Sequence, residues 1–273
     1  MKLKFSQLIC LLLLITPPLY ADDDCFAKRE QLKLTIGHKD DDFIAKREQL
    51  KPYYGIKNVV MIASPGRSGS TLLTNVTKKY ASKYKVLKTH LLPPDTRYKG
   101  KILFIFSNPD RAAESALHLI LNSKSHGATH FSHVETADQL WFQEIGRNGN
   151  NQTETHNLLA YDALGCVKQL EEWLHERSQP CDPQEAQILA IKYEHLWDFE
   201  TIEAIKKFLK LKSFTLPPKR ERGHEEAALF PEEMTFRKIY NLGTEEEPLY
   251  RAYDKARELC EQAPAFQYLK IAY

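Results

Sequence analysis

Short, uniformly apolar runs alternate along this chain with longer segments whose apolar positions recur at helical spacing. Val59-Val60-Met61-Ile62-Ala63 is the first run, continuous and rich in β-branched side chains. Such a run, without polar alternation, predicts a strand buried on both faces, as in a parallel sheet. Lys101-Ile102-Leu103-Phe104-Ile105-Phe106 predicts another, stopped by Asn108-Pro109-Asp110. Lys85-Val86-Leu87-Lys88 is a shorter one, and Ile188-Leu189-Ala190-Ile191-Lys192-Tyr193 the fourth. Thr71 to Ala81 reads as a helix and Glu200 to Leu211 as an amphipathic one. His156 to Arg177 carries a long helical pattern, with Leu159, Leu164, Val167, Leu170 and Leu174 at helical spacing. Strands alternating with helices imply an α/β fold, a three-layer sandwich with a mostly parallel central sheet. Ligands in such folds bind beyond the carboxyl ends of the strands.

The segment before the first strand has a different character. Lys2 and Lys4 precede an apolar run from Leu8 to Ile15, followed by Thr16-Pro17-Pro18-Leu19-Tyr20-Ala21 and three aspartates. A basic start, a short hydrophobic stretch and a small terminal residue match a secretory signal peptide, residues 1–21. The run falls short of the roughly 20 residues a spanning helix needs, so no stable membrane span is expected. Export to a secreted, periplasmic or secretory-pathway location is the expectation. A duplicated lead-in follows over residues 22–57: DDDCFAKREQLKLTIGHK, then DDDFIAKREQLKPYYGIK, with 12 of 18 aligned positions identical. Each copy has an acidic start suited to a helix N-terminus, a short helix-forming stretch and a glycine stop. Two copies are too few for a solenoid. The main domain is expected to run from residue 58 to residue 273.

Composition narrows the classes. The 273 residues can bury one sizeable core, and 38 basic side chains nearly cancel 36 acidic ones. No global field points to a nucleic-acid partner, so any anion site must be local. Cysteines at positions 10, 25, 166, 181 and 260 are too few and too scattered for a disulfide framework or a zinc site. Cys166 and Cys181 are the pair an oxidising compartment could join.

A local anion site is written directly after the first strand, in Ser64-Pro65-Gly66-Arg67-Ser68-Gly69-Ser70-Thr71. Gly66 and Gly69 permit tight turns, and the amides at the helix start point toward a ligand. Ser68, Ser70 and Thr71 carry hydroxyls, and Arg67 adds a fixed charge with a planar fork suited to phosphate or sulfate oxygens. The loop is not a nucleotide-hydrolysing P-loop: aligned on its Ser-Thr end, the position for lysine is Gly69.

On these residues the chain resembles the sulfotransferase superfamily, whose members carry a Pro-x-(Arg/Lys)-Ser-Gly-(Thr/Ser)-Thr loop after the first strand. Three later segments follow in family order. Lys88-Thr89-His90-Leu91, with Pro93 close behind, is similar to a Lys-Thr-His-Leu-Pro segment. Ser107-Asn108-Pro109-Asp110-Arg111, ending at Ser115, resembles an Arg-(Asn/Asp)-Pro-x-Asp-x-x-x-Ser segment. Lys192-Tyr193-Glu194-His195-Leu196 is similar to a Tyr-Glu-Asp-Leu segment. The resemblance covers about residues 58 to 211. It implies a P-loop-like sulfotransferase fold and a donor, PAPS (3′-phosphoadenosine 5′-phosphosulfate), held by Pro65, Gly66, Arg67, Ser68, Gly69, Ser70 and Thr71. One position departs: Ser107 stands where the family has the arginine that grips the 3′-phosphate. Its usual companion Ser115 is kept, and Arg111, four residues on, is the candidate replacement cation. Lys219-Arg220-Glu221-Arg222-Gly223 is only loosely similar to the family's basic-glycine segment, and a solvated charged loop is the better reading there.

Sulfuryl transfer needs positioning and support for charge on the departing oxygen more than covalent chemistry. The resemblance assigns Arg67 and the loop amides to that support and Lys88 to the transferring group. His90 is the natural general base, because an imidazole titrates near neutral pH. Some members use a glutamate on the helix after the loop, but Leu72 to Lys79 contain no acid. No metal is required, and no ligand cluster is visible in the sequence. The expected acceptor is a hydroxylated small molecule, a glycan or a protein. Residues 123–155 and 215–248, which would line its pocket, show no recognisable chemistry. Asn75-Val76-Thr77 and Asn151-Gln152-Thr153 have the form of glycan acceptors, Asn75 within a predicted helix. Two other readings stay open: a non-catalytic binding protein on a degenerate sulfotransferase fold, and a P-loop kinase.

Overall fold

The computed structural model describes residues 46–122, 133–137, 162, 164–219 and 253–272. Residues 1–21, the first lead-in copy, Asn151 and most of residues 123–155 and 215–248 lie outside them. The chain divides into two compact units, Met1–Asp42 and Phe43–Tyr273. The second unit holds every described element, beginning with helical residues 46–50 and a short helical turn at Lys51–Tyr53.

Strand β1 (Val59–Ala63) leads through the small-residue loop to helix α1 (Ser70–Tyr80), then β2 (Lys85–Thr89) and β3 (Lys101–Phe106). Helix α2 (Pro109–Asn122) and α3 (Cys166–Glu171) come next, before β4 (Ser178–Pro180) and β5 (Ile188–Lys192). Helix α4 (Phe199–Leu209), α5 (Asp254–Gln262) and β6 (Phe266–Ile271) complete the described elements. The six strands form one mixed sheet in the order β2-β1-β3-β5-β6-β4. The first four in that order are mutually parallel, and β6 runs antiparallel to both of its neighbours.

The continuous apolar runs are buried on both faces because alternate side chains enter two different cores. Val59, Met61, Ile102, Phe104 and Ile188 face Ala112 and Ala116 of α2, Leu170 and Trp173 beyond α2, and Leu259 of α5. Val60, Ile62, Leu103, Ile105 and Leu189 face Leu73 of α1 and Ile205, Phe208 and Leu209 of α4. Helices therefore cover both faces of the sheet. Trp173 and Phe104 stack at 4.9 Å between ring centres, anchoring the first core. Cys166 lies in that core and Cys181 against the other, both free. The sheet itself separates the two thiols that spacing alone allows to pair.

Of the long helical pattern expected from His156 to Arg177, residues 156–161 and 163 lie outside the described residues, and the described part is not one continuous helix. Helix α3 begins only at Cys166, because Gly165 is left-handed (φ 66°) and Asp162 accepts from the amides of Cys166 and Val167 at 2.9 and 2.7 Å. A carboxylate that takes the first amides of a helix marks its start. Glu172–Glu176 then continue as a wider π turn. The C-terminal helix and strand lie outside the elements that the apolar pattern predicts. Of β4, only three edge residues ending in Pro180 pair, too short a pattern to register.

The described part of the second lead-in copy, residues 46–57, packs within this unit. Tyr54 is buried edge-on against Tyr98, and its carbonyl accepts from the Lys99 amide at 2.7 Å.

Candidate anion-binding and active site

Chain order runs from β1 to β2 on one side of the sheet and back to β3 on the other. In a parallel sheet that reversal leaves a crevice beyond the carboxyl ends of the two strands flanking the switch, here β1 and β3. Buried polar side chains gather there: Ser64, Ser68 and Ser70 after β1, Thr89 and His90 at the end of β2, and Ser107 and Asp110 after β3.

The loop after β1 has three left-handed residues, Gly66 (φ 104°), Arg67 (φ 53°) and Gly69 (φ 78°). Consecutive turns of this kind turn backbone amides toward one concavity, an arrangement that favours anions. For Arg67 the conformation is strained by roughly 1–2 kcal/mol, a cost usually tolerated at functional sites. Gly69 caps α1 without a side chain to engage the amides of its first turn, and the first helical bond is from Leu73 to the Gly69 carbonyl, 3.1 Å. Pro65, Gly66 and Ser68 are buried, whereas Arg67 and Thr71 are exposed. Ser68 fastens the loop, donating to the Gly66 carbonyl at 3.0 Å and meeting Ser107 Oγ at 3.1 Å.

Lys88 and His90 enter from the end of β2. Lys88 Nζ donates to Thr71 Oγ1 at 2.9 Å, which brings the ammonium to the mouth of the loop. Burial, and then the Arg67 guanidinium nearby, hold its pKa below the usual lysine range. His90 is buried, with Nδ1 2.9 Å from the Ser64 carbonyl and 3.1 Å from Ser64 Oγ. A carbonyl only accepts, so Nδ1 carries the proton and the basic lone pair is on Nε2. Burial pushes its pKa down to about 4; the Ser64 bond opposes this, and Lys88 and His133 add to it. His90 is therefore neutral at neutral pH but a weaker base than a free imidazole, against the expectation that it titrates near neutral pH.

The third wall comes from β3 and α2. Asn108 Oδ1 accepts from the Asp110 amide at 2.8 Å, capping α2 just before Pro109 at its first position. Ser115 Oγ accepts from Arg67 Nε at 2.9 Å, joining the loop to α2 across 48 positions of sequence. Arg111 is exposed one residue after the buried Asp110. Ser107 is buried and bonded to Ser68.

The contacts above bring Arg67, Ser68, Thr71, Lys88, His90 and Ser115 together around the loop of residues 64–71, and Arg111 stands exposed in the first turn of α2. The structure adds others. Tyr193 packs across Gly69, Glu194 accepts from the Asn108 amide at 3.2 Å, and Arg257 of α5 pairs with Asp110 at 2.7 Å. The Tyr-Glu segment is legible as a motif but its contacts are not; Arg257 carries no sequence signal. Among the described residues no group of His, Cys, Asp and Glu could hold a metal ion, and no helix is long and apolar enough to cross a membrane. No protein-family model matches the chain, and no curated protein matches it.

Proposed function

We propose that this chain is a sulfotransferase that moves a sulfuryl group from PAPS to a hydroxyl or amine acceptor by in-line transfer, on a P-loop-like sulfotransferase fold. The observation that carries the reading is the convergence of the left-handed loop, Arg67, Lys88 and a neutral His90 at the switch point of the sheet. The residues suit the donor. A concave run of amides with three hydroxyls and a guanidinium matches a phosphosulfate, and Ser115, with Arg67 on it and Arg111 a turn earlier, matches the 3′-phosphate end.

PAPS supplies an activated sulfuryl group on a phosphate leaving group. Arg67 and the amides of residues 66–71 stabilise the charge that grows on that phosphate, and Ser70 and Thr71 orient its oxygens. Lys88, steered by Thr71, neutralises the transferring group. His90 accepts the acceptor's proton at Nε2, its tautomer fixed through Nδ1 by Ser64. The acceptor is a hydroxylated small molecule, a glycan or a protein, met outside the cytoplasm if the N-terminal segment directs export. N-terminal sequencing of the secreted protein tests that localisation: a start at Asp22 supports it, and a start at Met1 removes it.

A non-catalytic binding protein on the same fold is the second reading. Ser107 favours it, since a buried serine bonded to Ser68 cannot serve as a 3′-phosphate cation. Incubating the full chain with labelled PAPS and a panel of hydroxylated acceptors separates the two. Transfer that is lost in His90→Ala supports the enzyme. Donor binding without any transfer supports the binding protein.

A further inference from the structure

Residues 91–94, after β2, have no ladder of their own, so the backbone around His90 must be satisfied from elsewhere. The His90 carbonyl accepts from the Glu135 amide at 3.2 Å and from Gln169 Nε2 at 3.1 Å. The Leu91 carbonyl accepts from Trp173 Nε1 at 3.3 Å. The Leu92 amide donates to Glu135 Oε2 at 2.8 Å. Glu135 thus grips the turn twice, with its amide before it and its carboxylate after it.

Residues 133–137 act as a strap over the site. Val134 is fully buried, with its Cγ2 3.4 Å from where a β-carbon on Gly66 would stand, so the strap also packs beside the anion loop. Arg47 reaches the strap from the lead-in segment. Its Nε and Nη2 reach Glu135 Oε1 at 3.0 and 2.8 Å, and Nη2 also reaches Oε2 at 2.8 Å. Both side chains are largely buried, at 26% and 17% exposure, which makes this forked pair stronger than a surface ion pair. Arg47 belongs to the second copy of the duplicated lead-in, in the repeated Ala-Lys-Arg-Glu-Gln-Leu-Lys.

We propose that the second lead-in copy is a working part of the site: Arg47, through Glu135, is a positioning residue that sets the location of His90 and keeps it out of solvent. This inference rests on the sulfotransferase reading for its catalytic meaning but not for its test. Among the described residues, Lys88 on its own strand and His133 on the strap act on the His90 titration, and the Glu135 carboxylate faces the same turn through the Leu92 amide. Lys46, beside Arg47, acts on His133 rather than on His90.

The test is an NMR titration of the His90 ring in the full chain, assigned with His90→Asn, for wild type, Arg47→Ala, Arg47→Lys, Glu135→Gln and Lys46→Ala. Thermal unfolding of each establishes that it is folded. Arg47→Ala is expected to move the His90 titration upward from about 4 by about 1 unit or more, toward the solvated value. Arg47→Lys recovers part of the shift, and Lys46→Ala leaves it in place. Glu135→Gln keeps an acceptor for Leu92 while discharging the pair, so it reports on Arg47 even if Arg47→Ala fails to fold. An unchanged His90 titration in folded Arg47→Ala or Glu135→Gln overturns the proposal. Failure of every variant and of wild type to bind PAP (3′-phosphoadenosine 5′-phosphate) would sink the sulfotransferase reading and leave the titration result standing.

Discussion

The ring of Tyr193 occupies the place a β-carbon on Gly69 would take: that carbon would stand 2.4 Å from Tyr193 Cε2. Two segments 124 positions apart, the end of β5 and the loop after β1, are packed so closely that only glycine fits between them. Gly69 is also left-handed, so glycine is needed there for two independent reasons.

Gly69→Ala is therefore expected to destabilise the fold by about 2–4 kcal/mol, from φ strain plus the clash, read as a lowered urea midpoint. Adding Tyr193→Ala removes the clash and not the strain, so the double variant should regain part of the loss over the Tyr193→Ala background. A Gly69→Ala protein as stable as wild type would contradict the packing described.

Stability should fall with acidification through His90. Unfolded imidazole binds a proton below about pH 6.5, folded His90 only below about 4, so between these values the unfolded state holds more protons. From about pH 7.5 to about pH 5 the loss from this group is about 2 kcal/mol. His90→Asn, which keeps a donor for Ser64, should remove that part of the dependence. Urea unfolding at the two pH values checks it; equal slopes for both proteins would count against a buried neutral His90.

Asp110 and Arg257 pair at 2.7 Å with about a tenth of each side chain exposed, and Arg257 also reaches Asp254. Asp110→Ala strips the buried partner from a guanidinium that keeps Asp254, so a loss of about 1–3 kcal/mol is expected by chemical unfolding. Arg257→Met with Asp110→Leu should be milder than either single change. A single-variant loss under about 1 kcal/mol would show that the pair is solvated.

Lys88 and His90 should separate kinetically from the loop. If transfer is observed, Lys88→Ala and His90→Ala are expected to lower kcat by about 100-fold or more, with donor affinity changed by less than about tenfold. Equal losses in kcat and donor affinity would place both residues in binding alone.

The parallel core is readable because its inner strands β1, β3 and β5 are buried on both faces. A run such as Val59–Ala63 admits few other environments, and β1 and β3 fall where their apolar runs do. The loop was equally legible, since its glycines and hydroxyls sit between an unmistakable strand and helix. Contacts made across the chain left no local trace. Arg67 with Ser115, Arg47 with Glu135 and Arg257 with Asp110 join elements 48, 88 and 147 residues apart. The helical pattern from His156 is interrupted for a local reason: leucine spacing runs through a glycine whose left-handed turn breaks the helix. Helix α5 and strand β6 follow a long stretch without strong periodicity, and β6 pairs antiparallel, against the pattern of the four parallel strands.

The most direct measurement of donor recognition is a calorimetric titration of the full chain with PAP, beside Arg67→Ala. The sulfotransferase reading expects saturable binding near one site per chain, weakened about tenfold or more by removal of a guanidinium that makes charge-assisted hydrogen bonds. Absence of binding, or binding indifferent to Arg67, would contradict it and leave an α/β fold whose anion loop serves another ligand.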